Sequence, residues 1–373
     1  MKEKSNKQFM ILSAIGIIQV VLCHFATVEV LKGYIFPYTS FFIPLFLFIS
    51  GYFYKTESEN KIVNTIWNKF KKFMIPFFII NLIYGIINNI LRHYGIINYG
   101  SEINLNTLFV QPFIGNGQFI FNFPSWFIPV FFVTYVTYLF IHKYSSKLKI
   151  NDYILLILLL IGNMFSVYYS DIARQEDLRT LILKVLFLLP FFHFGYLYKT
   201  KIQKHEEKVK TIIYIPILVI INIILKLVFN NLTYDMRAFS EFNPNNFFLP
   251  ILTSITGILF WLRISKLLVK WLGDNKIINY ISNNTFTIMS HHVFFLFIFN
   301  LILYFINLKY QVPYFNEDIF KNGWIYTYQI TNWNILLQLF YTVLGVGGPL
   351  IVKYTYEKFL GNDFNRPKKA FKN

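Results

Sequence analysis

Long apolar runs occupy most of this 373-residue chain. A helix that crosses a lipid bilayer needs about 20 predominantly apolar residues. Measured against that length, the sequence predicts about ten transmembrane spans, at residues 9–30, 35–54, 73–91, 124–141, 153–169, 180–198, 211–229, 247–261, 285–306 and 333–352. We therefore predict an all-α, polytopic integral membrane protein whose single domain covers residues 1–373.

The charged residues exclude an ordinary water-soluble fold. Only 14% of the residues are charged, whereas a soluble domain has about 25%. The net charge of +17 does not indicate nucleic acid binding, because the basic residues fall in short clusters between the apolar runs and not on one folded face. The expected surroundings are therefore membrane lipid, with no nucleic acid partner.

The basic residues also predict the topology. If the N-terminus is cytoplasmic, 26 of the 35 lysines and arginines lie on the cytoplasmic side, and eight, including Lys184, lie on the other side. This asymmetry is what the positive-inside rule predicts. We expect a multi-pass protein of the inner (plasma) membrane with both termini in the cytoplasm. Residues 354–373 would form a short basic tail that contacts anionic lipid.

Histidines are the main ionisable residues of the predicted spans. His24, His291 and His292 lie in or near spans, whereas Glu29 is the only acidic residue inside one. An imidazole can take a proton from a hydroxyl near neutral pH, so each is a candidate acid or base; the alternative is that each only hydrogen-bonds a neighbouring helix. We predict no metal site, because no carboxylate accompanies them and adjacent histidines point about 100° apart on a helix.

Six segments, taken in order along the chain, resemble the membrane acyltransferase 3 family. In the first, LSAIGIIQVVLCHF, His24 stands at the histidine of the family and Ser13 stands where the family has an arginine. The others are FFIPLFLFISGYFY with Ser50, NKFKKFMIPF with Lys69, Lys71 and Lys72, PSWFIPVFFVTY with Trp126, LPFFHFGYLYK with its glycine, aromatic and basic ending, and ISNNTFTIMSHHVFF with His291 and His292. His193, in the fifth of the six segments, is not part of the family pattern. Their order and spacing over the ten spans make the combined likeness specific.

This resemblance implies an activity. Members of the family move acyl groups, usually acetyl, from coenzyme A to hydroxyls of sugars and cell-envelope glycans. By analogy, His24 is the general base, and His291 or His292 orients the acceptor or donates to the oxyanion. The resemblance implies no permanently bound cofactor, acetyl-CoA or another acyl-CoA as the donor substrate, and a bacterial surface polysaccharide or its lipid-linked precursor as the acceptor.

The resemblance also implies binding residues, each with a simpler interpretation. Lys69, Lys71 and Lys72 are candidates to neutralise the coenzyme A phosphates, or they anchor a helix to lipid headgroups. Trp126 and Ser50 are candidates for the substrate pocket; alternatively, Trp126 belongs to an interfacial belt, and Ser50 and its glycine neighbour allow close helix packing. Lys4 or Lys7 would have to replace the arginine that Ser13 lacks.

The predicted spans place two of the histidines at different depths. At 1.5 Å per residue, His24 lies about 22 Å from the cytoplasmic start of its span, and His292 lies about 10 Å from the start of its own. The two side chains meet only if the helices tilt or if the ninth span begins earlier, near Ile277. The implied geometry is a funnel through the bilayer.

Two competing functions and one local motif complete the expectations. A polysaccharide exporter or flippase would have a similar number of spans and would tolerate loss of His24, while a structural scaffold would explain the topology alone. The sequence GVGGP at residues 345–349 lacks the Lys-Ser/Thr ending of a phosphate-binding loop, so we predict a helix break there.

Overall fold

A computed structural model describes residues 2–24, 39–115, 119–229, 232, 234, 236–323, 326–328 and 335–359. Within these ranges the regular structure is entirely helical. The α-helices are α1 (Lys2–Leu22), α2 (Phe42–Tyr52), α3 (Ile62–Lys69), α4 (Ile75–His93), α5 (Gln111–Ile114), α6 (Phe127–Lys147), α7 (Asp152–Tyr168), α8 (Leu178–Leu197), α9 (Gln203–Glu206), α10 (Thr211–Val228), α11 (Leu249–Leu272), α12 (Lys276–Asn283), α13 (Thr285–Tyr310), α14 (Glu317–Asn322) and α15 (Ile335–Phe359).

The apolar helices confirm the all-α membrane class. Seven described helical segments are long and apolar enough to cross a membrane: Thr56–His93, Ile120–Lys147, Leu178–Glu206, Thr211–Val228, Leu249–Leu272, Thr285–Tyr310 and Leu336–Phe359. The first, second and fifth predicted spans correspond to three shorter apolar helices, Asn6–Leu22, Phe42–Tyr52 and Asp152–Tyr168. The total of ten spans and the cytoplasmic termini stay predictions. Glu29 and residues 360–373 of the tail lie outside the described residues.

Two helix boundaries differ from the predicted spans in ways that affect the site. Helix α1 ends at Leu22, so His24 follows the helix and does not lie within it. The third span begins earlier than residue 73, because a π-helical turn, Phe70–Met74, joins α3 to α4. Pro76 explains that turn, since proline has no N–H and its ring clashes with the carbonyl four residues earlier.

Helices α2 and α8 cross with their backbones almost in contact. A Cβ atom placed on Gly51 would lie only 1.8 Å from the carbonyl oxygen of Phe192, and one on Gly195 would lie 1.9 Å from the carbonyl oxygen of Phe48. Small residues permit this close approach in membrane helix pairs. The glycine beside Ser50 therefore has a packing role, and the buried residues of α2 and α8 belong to one hydrophobic core.

Polar side chains in the bundle tie the helices together. His193 is fully buried; its Nε2–H donates to the carbonyl of Asp152, and its Nδ1 accepts from the Tyr138 hydroxyl. His142 is also buried, with Nδ1 2.6 Å from the carboxylate of Glu59. These contacts give His193 and His142 structural roles, because each imidazole is committed to partners on neighbouring segments.

The structure buries one lysine and contradicts one predicted helix break. Lys184, whose assignment to the outer side stays a prediction, lies inside α8 and is 1% exposed, with its ammonium 4.6 Å from the centroid of the Trp126 ring. The aromatic face accommodates the buried cation. Residues 345–349 do not break the helix, since α15 continues through them. A Cβ atom on Gly345 would lie 2.7 Å from Val21, so that glycine serves close packing and not a turn.

The glycine crossing predicts a stability effect with an internal control. Gly51→Ala should lower the free energy of unfolding by at least about 1–3 kcal/mol, because the new methyl group has no room. Gly347→Ala makes the same exchange within α15 where nothing lies within 4 Å, and it should be neutral or slightly stabilising. Thermal unfolding of the detergent-solubilised variants measures both; equal melting temperatures would contradict the close crossing.

Candidate active site

His24 lies immediately beyond the C-terminal end of α1. The backbone N–H of Cys23 bonds to the carbonyl of Gln19, and that of His24 bonds to Val21, so the chain completes one tightened turn after the helix ends. His24 is 8% exposed. The ring of Phe123 packs edge-on against the imidazole at a centroid distance of 5.1 Å. The imidazole is therefore buried, and the backbone of His24 is held by hydrogen bonds to the last turn of α1.

The imidazole of His24 meets that of His292. Their ring centroids are 4.9 Å apart with an interplanar angle of 36°. The predicted difference in depth disappears because α12 precedes α13, so that the helical path to His292 begins near Ile277. Lys7 of α1 forms an ion pair of 2.8 Å with Asp274, the residue two positions before α12. His24 follows Lys7 by 17 residues, and His292 follows Asp274 by 18 residues. At the rise of an α-helix these separations are about 26 and 27 Å.

The hydrogen bonding of His292 determines its tautomer. Its Nδ1 lies 2.8 Å from the carbonyl oxygen of Ile288, and a carbonyl can only accept, so Nδ1 carries a hydrogen. In the neutral ring the lone pair is then on Nε2. His292 is fully buried beside His24. It therefore resembles the middle member of a hydrogen-bonded chain, with its orientation set by its own helix.

His291 faces a different set of helices. Its Nδ1 shares a hydrogen bond of 2.7 Å with the hydroxyl of Tyr84 on α4. On the same face of α13, one turn earlier, the hydroxyl of Thr287 accepts from the ammonium of Lys353 on α15 at 3.2 Å. The structure brings His292, and not His291, to His24.

Two cavities meet at His24, the residue common to both. Cavity 1 measures about 460 Å³ and cavity 2 about 380 Å³, open mouths included. The described lining of cavity 1 is Val20, Cys23, His24, Ser40, Phe42, Ile43, Pro124, Trp126, Met236 and Met289. That of cavity 2 is His24, Tyr99, Ile120, Phe121, Val293, Leu296, Phe297, Tyr326 and Thr327. Cavity 1 is mainly apolar, whereas cavity 2 also carries three hydroxyl groups.

A family model described as an acyltransferase domain matches residues 10–354, nearly the whole chain. The chain belongs to the membrane acyltransferase 3 family. Neither the curated proteins nor the solved structures contain a match to it. The match therefore establishes an acyltransferase domain, and His24, His292 and the two cavities lie within it.

The structure separates the three lysines of this acyltransferase that were predicted to bind the donor. The ammonium of Lys69 lies 4.6 Å from the ring centroid of Tyr135, and that of Lys72 lies 5.2 Å from the ring of Phe73. Lys71 instead stacks on the exposed ring of Trp67. None of the three is among the described residues that line either cavity.

Two aromatic rings link Lys69 and Lys72 to α13, the helix that carries His292. The ring of Phe73, which Lys69 and Lys72 both approach, lies 6.4 Å from the ring of Phe286 in the first turn of that helix. His292 is six residues further on, about 9 Å along the helix axis. Lys69 and Lys72 are therefore linked to the start of α13, the helix that carries His292, through the rings of Phe73 and Phe286.

Of the remaining residues predicted for the site, some line a cavity and others do not. Trp126 is 3% exposed and forms part of the wall of cavity 1. Ser50 is half-buried in α2 and is absent from the described linings of both cavities. Ser13 is buried within α1, and Lys7, one proposed substitute for the missing arginine, is ion-paired with Asp274. Among the described residues, no cluster of three or more histidine, cysteine or acidic side chains is suited to hold a metal ion.

Sequence reasoning missed Ser40, Tyr99 and Tyr326, which line the cavities. Burial raises the pKa of Tyr99 and Tyr326 above its usual range, so both phenols remain neutral donors. All three lie outside the α-helices, where no periodic pattern predicts the direction of a side chain. Only the packing of distant segments brings them to His24.

The geometry predicts different outcomes for the two adjacent histidines. His292→Ala should lower kcat for acyl transfer by about 10²-fold or more, because His24 loses its neighbouring imidazole. His291→Ala should lower it less than about tenfold, since only a hydrogen bond to Tyr84 is lost. Initial rates at matched membrane levels measure both. Equal losses, or a greater loss in the His291 variant, would contradict the pairing.

Proposed function

We propose that the protein is a membrane O-acyltransferase of the inner (plasma) membrane. It transfers an acyl group, acetyl in the first instance, from acyl-CoA to a hydroxyl of a surface polysaccharide or its lipid-linked precursor. The observation that carries the proposal is the contact between His24 and His292 where two cavities of different character meet. Membership of the acyltransferase family favours this activity over the exporter interpretation.

His24 acts as the general base in this proposal. It removes the proton from the acceptor hydroxyl as the hydroxyl oxygen attacks the thioester carbonyl carbon. A carbon–oxygen bond forms, the tetrahedral intermediate collapses, and the carbon–sulfur bond breaks. The imidazolium of His24 then returns the proton to the departing thiolate, so that the products are an ester and free coenzyme A. The C-terminal end of α1 favours the positive charge that His24 carries between the two steps.

His292 positions the base. Its Nδ1–H is fixed on the carbonyl of Ile288, so its Nε2 can accept the N–H of His24 after a small adjustment of the rings. That hydrogen bond would turn the other nitrogen of His24 toward the acceptor and would stabilise the imidazolium. The arrangement parallels hydrolase triads, in which a third group orients the histidine.

The donor and acceptor approach from different sides in the proposed reaction. Lys69 and Lys72 provide positive charge for the phosphates of coenzyme A at the predicted cytoplasmic end of the bundle. The pantetheine arm then extends along α13 toward His292. On the other side, the hydroxyls of Tyr99, Tyr326 and Thr327 and the aromatic walls of cavity 2 suit a sugar ring.

Acyl-CoA turnover in membranes tests the activity. Wild-type membranes should form ester from acetyl-CoA and cell-envelope glycan, and His24→Ala should lower the rate by about 10²- to 10⁴-fold. His205→Ala is the matched control, because His205 is exposed and far along the chain from α1. It should retain the wild-type rate.

Three results would count against the proposal. If wild-type membranes form no ester with any common acyl donor, the proposed transfer from acyl-CoA to a glycan hydroxyl is refuted. Full activity in the His24 variant would remove its role as base. Equal losses in the His24 and His205 variants would indicate damage unrelated to the site.

A further inference from the structure

Ser40 has a buried hydroxyl group that lacks a hydrogen-bond partner among the described residues. The side chain is 3% exposed, and its Oγ is one of the unsatisfied buried polar atoms of the described chain. Burying such a hydroxyl without a partner costs about 1–3 kcal/mol. The same residue lines cavity 1 together with His24. An unpaired donor beside a candidate base is a candidate contact for substrate.

The backbone around Ser40 is fixed from two directions. The hydroxyl of Ser254 on α11 donates to the carbonyl oxygen of Ser40 at 3.0 Å. The next residue, Phe41, is fully buried, and its Cβ would lie 2.7 Å from a Cβ atom added to Gly257. This anchoring holds Ser40 in place without using its side-chain hydroxyl. Such pre-positioned donors are effective in transition-state stabilisation.

We propose that cavity 1 holds the acyl group of the donor and that the Ser40 hydroxyl donates a hydrogen bond to the thioester carbonyl oxygen. The inference rests on the proposed acyl transfer and extends it to a further catalytic residue. Apart from Cys23, His24 and Ser40, the described walls of cavity 1 are apolar or aromatic. They fit a short uncharged acyl chain, and the hydroxyl-bearing cavity 2 is then the acceptor site.

The role of Ser40 follows from the charge that develops during the reaction. When the acceptor oxygen attacks, the electron pair of the carbonyl double bond moves onto the carbonyl oxygen. The Ser40 O–H stabilises that oxyanion and keeps its own proton throughout. When the intermediate collapses, the pair returns to the carbonyl bond and the sulfur leaves with its bonding electrons. His24 alone carries the proton between acceptor and thiolate.

Ser125 provides a matched control. It is 1% exposed, and its Oγ also lacks a partner among the described residues. It precedes Trp126 but does not belong to the described lining of cavity 1. Removing its hydroxyl therefore deletes a buried, unpaired donor close to the site without touching the cavity.

The experiment compares steady-state kinetics of Ser40→Ala, Ser40→Cys and Ser125→Ala with the wild type, varying the acetyl-CoA concentration at a fixed, saturating concentration of acceptor. Loss of one oxyanion donor costs about 10²- to 10³-fold in kcat. We expect that loss in Ser40→Ala and in Ser40→Cys, which keeps the volume but is a weak donor. The KM for acetyl-CoA should change little, and Ser125→Ala should stay within about threefold of wild type.

The outcomes separate this inference from the proposed function. If the wild type forms ester, His24→Ala does not, and Ser40→Ala turns over as fast as Ser125→Ala, then Ser40 is not the donor while the acyl transfer stands. Full activity in Ser40→Cys, with loss only in Ser40→Ala, would show that shape and not donation matters, and would also overturn the inference. If the wild type forms no ester, the proposed function itself fails.

Discussion

The parallel packing of α1 against α12 and α13 is the contact on which the site depends. The ion pair between Lys7 and Asp274 fixes one end of this contact, and the imidazoles of His24 and His292 meet at the other. Because the two segments between these points have nearly the same length, the histidines meet although the helical path breaks at Asn284 between α12 and α13. Gly345 lets α15 pack closely against Val21 beside this contact.

Because the membrane interior has low polarity, the hydrogen-bond partners of a buried polar group indicate its role. In hydrocarbon an unpaired donor or acceptor is expensive, so polar side chains inside the bundle are expected to find partners. His193 and His142 follow that rule, and their contacts hold helices together. Ser40 does not follow it, and it lies in the cavity wall beside His24. The contrast separates histidines with structural roles from a serine available to substrate.

The sequence was sufficient for the fold class and for the position of most helices, because hydropathy alone reports which segments enter the bilayer. Ordered motifs also pointed to His24 and Trp126, which line cavity 1, whereas the third span begins earlier than the predicted residue 73. The choice between His291 and His292 was beyond it, since adjacent residues on a helix differ only in the face they present, and that face is set by tertiary packing. The sequence placed the start of the ninth span at residue 285 and left open an earlier start near Ile277, because α12, an amphipathic helix that precedes the break at Asn284, does not count as an apolar run.

Three other features could not be predicted from the sequence, each for a local reason. Ser40 is a lone serine before an apolar helix, and nothing in its spacing distinguishes it from any other. The complete burial of Lys184 was not predictable, because only the packing of α8 brings its ammonium to the face of Trp126. The glycines at 345–349 suggested a break because glycine and proline commonly end helices in water. Inside a bundle the same residues allow close contact instead.

Cys23 offers the most direct measurement, because it is the only cysteine of the chain and it lines cavity 1 next to His24. The rate at which an uncharged maleimide alkylates Cys23 can be followed by mass spectrometry with and without saturating acetyl-CoA. If cavity 1 holds the acyl group beside His24, acetyl-CoA slows the alkylation strongly and prior alkylation stops ester formation. An alkylation rate that acetyl-CoA leaves unchanged, in protein that turns over, would contradict the account.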